Sequence, residues 1–221
     1  MPRISENSKR RELRGTGEGA KYRPWIRIRE LNSTGTAVNI IDWKHGRSVE
    51  LLSVGEEMYY YALRWDDAVL DIREQFPLNI EETKHIARDM GIRHPPCTMT
   101  TDLLVTRKDS LVAYSVKSSR RDTDYTLAES PQEERIIQRT AEKLAIEKAY
   151  WLKHGIEWKL VFKEDLNPIY IDNIRRAVVY YNAQSVHDDV SRIKHLIATK
   201  AITVDMEHPL DYRSLINQYL R

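Results

Sequence analysis

The chain has 221 residues, of which 31% are charged and 41% apolar, with a formal net charge of +2 and a single cysteine, Cys97. This composition is typical of a globular protein with one full domain and at most a small appendage. The apolar runs are too short for a transmembrane helix, and one cysteine cannot form an internal disulfide or a cysteine zinc cluster. We therefore expect a cytoplasmic protein without a membrane partner.

The first thirty residues carry much of the positive charge. They hold nine Lys or Arg residues against four Glu, a net charge of +5. Since residues 1–20 are also rich in glycine and polar side chains, they are expected to form a disordered basic arm. Such an arm can neutralise DNA phosphates, but a merely solvated tail has the same composition. The candidate nucleic-acid contacts are Arg10, Arg11, Arg27 and Arg29.

The remaining chain shows the apolar patterns of a mixed α/β core followed by helices. A Ser-x-x-Glu capping box at Ser53 and Glu56 predicts one helix start, and Ser130-Pro131 predicts another. The expected domains are the basic arm (1–20), a core domain (21–164) and a helical C-terminal module (165–221). The predicted elements are an edge strand at 24–30, paired strands at 36–43 and 47–52, a helix at 53–65, a strand at 68–77, a helix at 79–91, paired strands at 103–105 and 111–116, a helix at 130–155, a strand at 156–162, and helices from about 165 onward.

The second strand pair brings an acid and a base together. Asp102 precedes its first strand and Lys117 ends its second, so antiparallel pairing makes the two side chains neighbours. A surface ion pair would explain both residues. If the helix start that carries Glu56 lies over the same end of the hairpin, two carboxylates and a lysine converge there. Carboxylates bind hard cations such as Mg²⁺, which activate phosphodiesters for hydrolysis. The alternative for Glu56 is a purely structural role in the capping box.

The order Glu, Asp, x-Lys resembles the PD-(D/E)xK pattern of restriction-endonuclease-like nucleases. Longer strings are similar to the TnsA family, the endonuclease subunits of bacterial cut-and-paste transposons. This similarity runs over about residues 21–181, and the strings are YRPWIRIREL, LDIREQFPL, GIRHP, MTTDLLV and EKLAIEKAYW. It implies an α/β fold with a restriction-endonuclease-like core (helix, three-stranded antiparallel unit, helix, strand) and a small helical C-terminal module.

The resemblance assigns the catalytic roles to Glu56, Asp102 and Lys117, and metal binding to Glu56, Asp102 and Ser115. The family's helix glutamate falls on Glu56 and not on Glu57. Ser115 stands where the nuclease pattern has Asp, Glu or Gln, and a hydroxyl is a weaker metal ligand than a carboxylate.

Two further groups could complete the metal site. The backbone carbonyl near Val116 could replace the weak ligand, because hard cations accept carbonyl oxygens. Glu147 on the long helix could help to bind a second metal, although an exposed helix face is the favoured position for it.

By resemblance, the chain is a Mg²⁺-dependent endonuclease, with Mn²⁺ able to replace Mg²⁺, that cuts double-stranded DNA at the 5′ ends of a transposon. Its implied partners are a DDE-type transposase subunit (TnsB-type) that cuts the 3′ ends and an AAA+ ATPase regulator (TnsC-type), contacted by the helical C-terminal module. Two alternatives remain: a catalytically silent adaptor that bridges DNA, transposase and ATPase, and a stand-alone repair or restriction nuclease.

Overall fold

The computed structural model describes residues 4–30 and 36–221; the remaining residues, which include Arg3 of the expected arm, lie outside this description. Among the described residues, no helix combines the length and the apolar character needed to span a bilayer. In chain order the helices and strands are α1 (Glu6–Arg11), β1 (Val38–Ile41), β2 (Ser48–Leu51), α2 (Val54–Trp65), β3 (Val69–Pro77), α3 (Ile80–Asp89), β4 (Thr100–Arg107), β5 (Leu111–Lys117), α4 (Pro131–Lys153), β6 (Glu157–Phe162), α5 (Pro168–Val178), α6 (Asp189–Ala198) and α7 (Tyr212–Tyr219).

The centre of the described chain is a four-stranded mixed sheet in the order β3-β4-β5-β6. Strands β3, β4 and β5 are antiparallel, whereas β6 runs parallel to β5. Parallel neighbours need a long crossover connection, and α4 supplies it. Strands β1 and β2 form a separate antiparallel hairpin. The order of α2, three antiparallel strands, α4 and β6 confirms the predicted α/β fold class, with α3 inserted between β3 and β4.

Two apolar cores cover the two faces of this sheet. On one face, α2 packs with the β1–β2 hairpin, α5 and α6, and its buried residues include Tyr60, Leu103 and Ile174. On the other face, α3 and α4 pack against the sheet, with Leu104 and Ile146 in their core. Since Leu103 and Leu104 are consecutive on β4, the alternation of side chains sends one to each core. Helices α2 and α4 therefore lie on opposite faces of the sheet.

The C-terminal segment is helical, as predicted. Ile171 and Ile174 of α5 and Ile193 of α6 are buried in the same core as α2. The predicted boundary near residue 165 therefore marks a change to all-helical structure and does not mark a second core.

The N-terminal segment differs from the expected disordered arm. Residues 4–20 include α1, whose Glu6 Oε1 accepts a hydrogen bond from the Thr98 N–H at 2.6 Å. Arg14 is only 2% exposed, and its guanidinium lies 2.6 Å from Glu30. Acidic residues of the segment thus pair with its own cations, and a net charge count does not reveal such pairing. The expectation of disorder is wrong for these residues.

The edge strand expected at 24–30 is also absent from the described structure. This stretch bends and ends in a short 3-10 turn, Ile28–Glu30. The Trp25 N–H of this stretch donates to the Gln75 carbonyl at 3.3 Å, and just before it the Tyr22 hydroxyl donates to the Glu74 carbonyl at 2.9 Å. The N-terminal segment consequently covers the outer edge of β3, which would otherwise present unpaired backbone groups.

Candidate active site

The open end of the β4–β5 hairpin holds the predicted acid and base. Strand pairing ends at Leu103 and Tyr114, and beyond it Asp102 Oδ2 accepts the Val116 N–H at 2.7 Å. A carboxylate thus takes the place of a backbone partner where the strands separate. Lys117 Nζ lies 3.8 Å from Asp102 Oδ2 and donates to the Val116 carbonyl at 2.8 Å. The structure brings Asp102 and Lys117 together as the hairpin predicts.

Glu56 lies in the first turn of α2, where Ser53 caps the helix. The Ser53 hydroxyl accepts the Glu56 N–H at 3.1 Å, and the Glu56 carboxylate accepts the Leu52 N–H at 2.9 Å. The capping role is therefore real. The same Oε2 atom also accepts a hydrogen bond from the Gln75 side-chain amide of β3 at 3.1 Å. The carboxylate of Glu56 thus caps its helix and still points to the sheet.

A solvent-open cavity of about 490 Å³ joins these groups, because Glu56, Asp102 and Lys117 all line it. Burial is the main cause that raises the pKa of Glu56 to about 8, and the negative charge of Asp102 adds to the rise. Two carboxylates therefore face each other with Lys117 as the neighbouring cation. A bound cation would relieve their repulsion.

The resemblance implies a divalent metal, and the oxygen donors of the cavity decide whether one fits. Within residues 4–30 and 36–221, no group of three or more His, Cys, Asp or Glu residues could hold a metal ion. Mg²⁺ does not need such a cage, because it keeps several waters and is commonly held by one or two carboxylates. Glu56 and Asp102 provide two carboxylates on one solvent-open cavity. This arrangement fits Mg²⁺ with water as its remaining ligands.

Ser115 is placed differently from its expected role as a metal ligand. It is only 1% exposed, and its hydroxyl accepts a hydrogen bond from Trp158 Nε1 at 3.1 Å. It does not line the cavity that contains Glu56 and Asp102. The Val116 carbonyl, the other suggested ligand, accepts the hydrogen bond from Lys117. The two carboxylates line the cavity, whereas the Ser115 hydroxyl does not and the Val116 carbonyl is already bonded to Lys117.

Glu147 faces the site, whereas the sequence favours an exposed position for it. It is 5% exposed, its Oε1 accepts the Thr101 hydroxyl at 2.7 Å, and it lines a second cavity with Asp102 and Lys117. Burial is the main cause that raises its pKa to about 7, and Asp102 adds to the rise. Sequence periodicity could have placed it inward, since Leu144 lies three positions before it on the buried stripe.

The four basic residues proposed for DNA binding lie outside both cavities. Arg10, Arg11 and Arg29 are exposed. Arg27 is partly buried, and its guanidinium lies 3.5 Å from Glu12. The exposed three are free of such burial, whereas Arg27 would first have to leave its carboxylate partner, and DNA binding by all four stays a prediction.

Comparison with known proteins gives two findings. Residues 66–163 match the family described as TnsA-like endonuclease N terminal. The transposon Tn7 transposition protein TnsA of Escherichia coli is 37% identical over 172 residues, which are 74% of this chain and 58% of that protein. The chain thus spans little more than half the length of this relative. Asp102, Lys117 and Glu147 fall inside the family match, and Glu56 precedes it. The resemblance predicted from the sequence is confirmed.

Proposed function

Since residues 66–163 of this chain match the family of TnsA-like endonuclease N-terminal domains, we propose that the chain is the DNA endonuclease subunit of a heteromeric cut-and-paste transposase. It hydrolyses phosphodiester bonds of double-stranded DNA at the 5′ ends of the transposon. The observation that carries this proposal is the convergence of Glu56, Asp102 and Lys117 on one solvent-open cavity.

In this proposal Glu56 and Asp102 hold Mg²⁺, which Mn²⁺ can replace. When bound, the ion supplies Lewis-acid polarisation of a phosphoryl oxygen and lowers the pKa of a water. The Val116 N–H fixes the Asp102 carboxylate, and the hydrogen bonds from Leu52 and Gln75 fix that of Glu56. Lys117 leaves the Val116 carbonyl to orient the attacking water or to stabilise negative charge on the phosphate.

The proposed partners follow from the family. A DDE-type transposase subunit (TnsB-type) cuts and joins the 3′ ends, an AAA+ ATPase (TnsC-type) regulates both, and the helices of 165–221 contact a partner. The exposed Arg10, Arg11 and Arg29 bind DNA phosphates without reading sequence. Specificity for the transposon ends then comes from the transposase subunit.

One observation favours a second candidate, a catalytically silent adaptor built on the same scaffold. Ser115 replaces the acid or glutamine of the nuclease pattern, and its hydroxyl is used by Trp158. Retention of Glu56, Asp102 and Lys117 favours the nuclease, since an adaptor has no need of two buried or half-buried carboxylates that repel each other.

The two candidates differ in the effect of removing the catalytic groups. Asp102→Ala and Lys117→Ala should each reduce 5′-strand cleavage by about a hundredfold or more, while the transposase subunit still cuts the 3′ ends. The donor then stays attached, and cointegrates accumulate in place of simple insertions. The measurement is the product ratio in a reconstituted transposition reaction.

Asp109→Ala and Lys108→Ala are matched controls, because these exposed residues lie in the turn at the other end of the same hairpin. Both controls should keep simple insertions at the normal level. Simple insertions at normal yield in Asp102→Ala and Lys117→Ala would establish the adaptor.

A further inference from the structure

Gln75 of β3 has an unusual backbone for a residue inside a strand. Its φ angle is +48°, in the left-handed region that costs a non-glycine residue roughly 1 kcal/mol or more. It is 2% exposed, so solvent contact does not explain the conformation. Such a conformation persists only where the surrounding structure enforces it, and it is often found beside functional groups.

The positive φ changes which face of the sheet each neighbouring side chain meets. In a regular strand Ile72 and Phe76 would share a face, because they are four residues apart. Instead Ile72 is buried in the α2 core and Phe76 packs against the α4 core. The break falls at Gln75, whose side chain reaches Glu56 on α2. The strained residue therefore directs its own amide to the α2 side.

Both ends of this amide are bonded in a defined orientation. The Gln75 Oε1 atom accepts the Thr100 hydroxyl at 3.0 Å, and its Nε2 atom donates to Glu56 Oε2 at 3.1 Å. The Glu56 carboxylate must be ionised to bind a cation and can then only accept, so the N–H end of the amide suits the metal-binding state. Thr100 lies two residues before Asp102 on β4. The chain of hydrogen bonds thus links the Glu56 carboxylate to the strand that carries the second carboxylate.

We propose that Gln75 is a positioning residue that holds the Glu56 carboxylate in its metal-binding orientation, an inference that rests on the proposed function. The amide and the Leu52 N–H both bond to Oε2, on the sheet side and the helix side respectively. Without the amide, the helix start alone would orient this oxygen. An apolar residue would fill the same volume but could not donate a hydrogen bond to the Glu56 carboxylate. The backbone strain would then have no compensating interaction at the site.

The test is Mn²⁺ binding to the full chain without DNA, followed by electron paramagnetic resonance of the free ion. Gln75→Leu keeps the volume of the side chain and removes both hydrogen bonds. Its Mn²⁺ affinity should fall roughly tenfold to a hundredfold, the usual cost of losing a partner of a metal-binding side chain.

Asn173→Leu is the matched control. Asn173 is also a buried amide, and it donates to the Met206 and His208 carbonyls at 2.9 and 2.8 Å, away from the site. This variant should lower the melting temperature and leave Mn²⁺ affinity unchanged. A merely structural Gln75 would behave in the same way: Gln75→Leu would unfold earlier but bind Mn²⁺ as tightly as the unaltered protein. That result would overturn the inference.

Two more variants keep the test decisive. If Gln75→Leu fails to fold, Thr100→Val removes only the bond that fixes the amide orientation, and Mn²⁺ affinity should then fall roughly threefold or more. Unchanged affinity in Thr100→Val would in that case overturn the inference. Glu56→Gln tests the proposed function separately. If the unaltered protein binds no Mn²⁺, or Glu56→Gln binds it equally well, the metal site itself is wrong and the inference is overturned with it.

Discussion

Each end of helix α2 has a buried carboxylate, and the surroundings shift the pKa values of the two in opposite directions. In its C-terminal half, Tyr60 donates to Asp42 at 2.7 Å and the Arg64 guanidinium lies 3.1 Å from the same carboxylate. In its first turn, Glu56 faces Asp102 across a cavity. Asp42 is 0% exposed and Glu56 is 6% exposed, so burial is similar at the two ends. The surrounding charges make the difference.

The pKa values follow from these surroundings. Burial alone disfavours the ionised form of Asp42, but the Tyr60 hydrogen bond and the charge of Arg64 outweigh it and lower the pKa. For Glu56, burial and the Asp102 charge act together and raise the pKa to about 8. The protein thus stabilises the ionised form of Asp42 with its own residues, whereas in the proposed function a metal ion does so for Glu56. Carboxylates of the second kind are typical of functional sites.

The largest expected effect is a loss of stability when the ion pair at the C-terminal half of α2 is broken. Arg64→Met should lower the free energy of unfolding by about 3–5 kcal/mol, because it leaves the buried charge of Asp42 without its cation. The measurement is urea denaturation followed by circular dichroism.

Arg107→Met is the control for this change. Arg107 also pairs with an aspartate, Asp66, at 2.7 Å, but both side chains are partly exposed. An exposed pair contributes little, so the loss should stay below about 1 kcal/mol. Equal losses in the two variants would mean that the pair at the C-terminal half of α2 is no more important than a surface ion pair.

A smaller effect is expected from Glu56 in the first turn of α2, as a dependence of the free energy of unfolding on pH. Without metal, folded Glu56 keeps its proton up to about pH 8, whereas the unfolded chain loses it near the ordinary pKa of 4.5. The folded state therefore binds more protons in this window, and the free energy of unfolding should fall as pH rises, by at most about 1.4 kcal/mol per pH unit from this group. Urea denaturation in EDTA between about pH 5 and pH 8 measures the slope.

Glu56→Gln should flatten this slope and make the metal-free protein more stable near pH 8. Glu147 adds a similar contribution that ends near its own pKa of about 7. A residual slope below that pH is thus expected in the Glu56→Gln variant, and adding Glu147→Gln should reduce it. Neither Glu56→Gln nor Glu147→Gln changes the neighbouring charges of Asp102 and Lys117, so a change in slope reports on the substituted carboxyl. A slope that Glu56→Gln leaves intact would show that the first turn of α2 is no different from its C-terminal half.

Local patterns were sufficient for much of the fold and part of the site. The capping box at Ser53, the proline start of α4 and the β4–β5 hairpin are each encoded within a few residues. The neighbourhood of Asp102 and Lys117 followed from pairing in that hairpin. Their relation to Glu56 depended on the packing of α2 against the sheet, and the family resemblance supplied it.

Other features depend on contacts between residues distant in sequence. The N-terminal segment has a defined structure because Arg14 forms an ion pair with Glu30 and because the segment packs on the edge of β3. Composition does not show either contact. The role of Gln75 depends on its positive φ angle, which the sequence does not indicate because the residue is not a glycine. For Ser115, the resemblance gave a position in a pattern, whereas packing against Trp158 decides where its hydroxyl points.

The most direct test of the proposed metal site is the position of Mn²⁺ in a crystal of the full chain, located by anomalous scattering. We expect a peak that both Glu56 and Asp102 coordinate directly, at about the 2.1 Å typical of small hard cations, and its loss in Glu56→Gln crystals. A peak elsewhere, with the Glu56 carboxylate still bonded only to Leu52, Ser53 and Gln75, would contradict it.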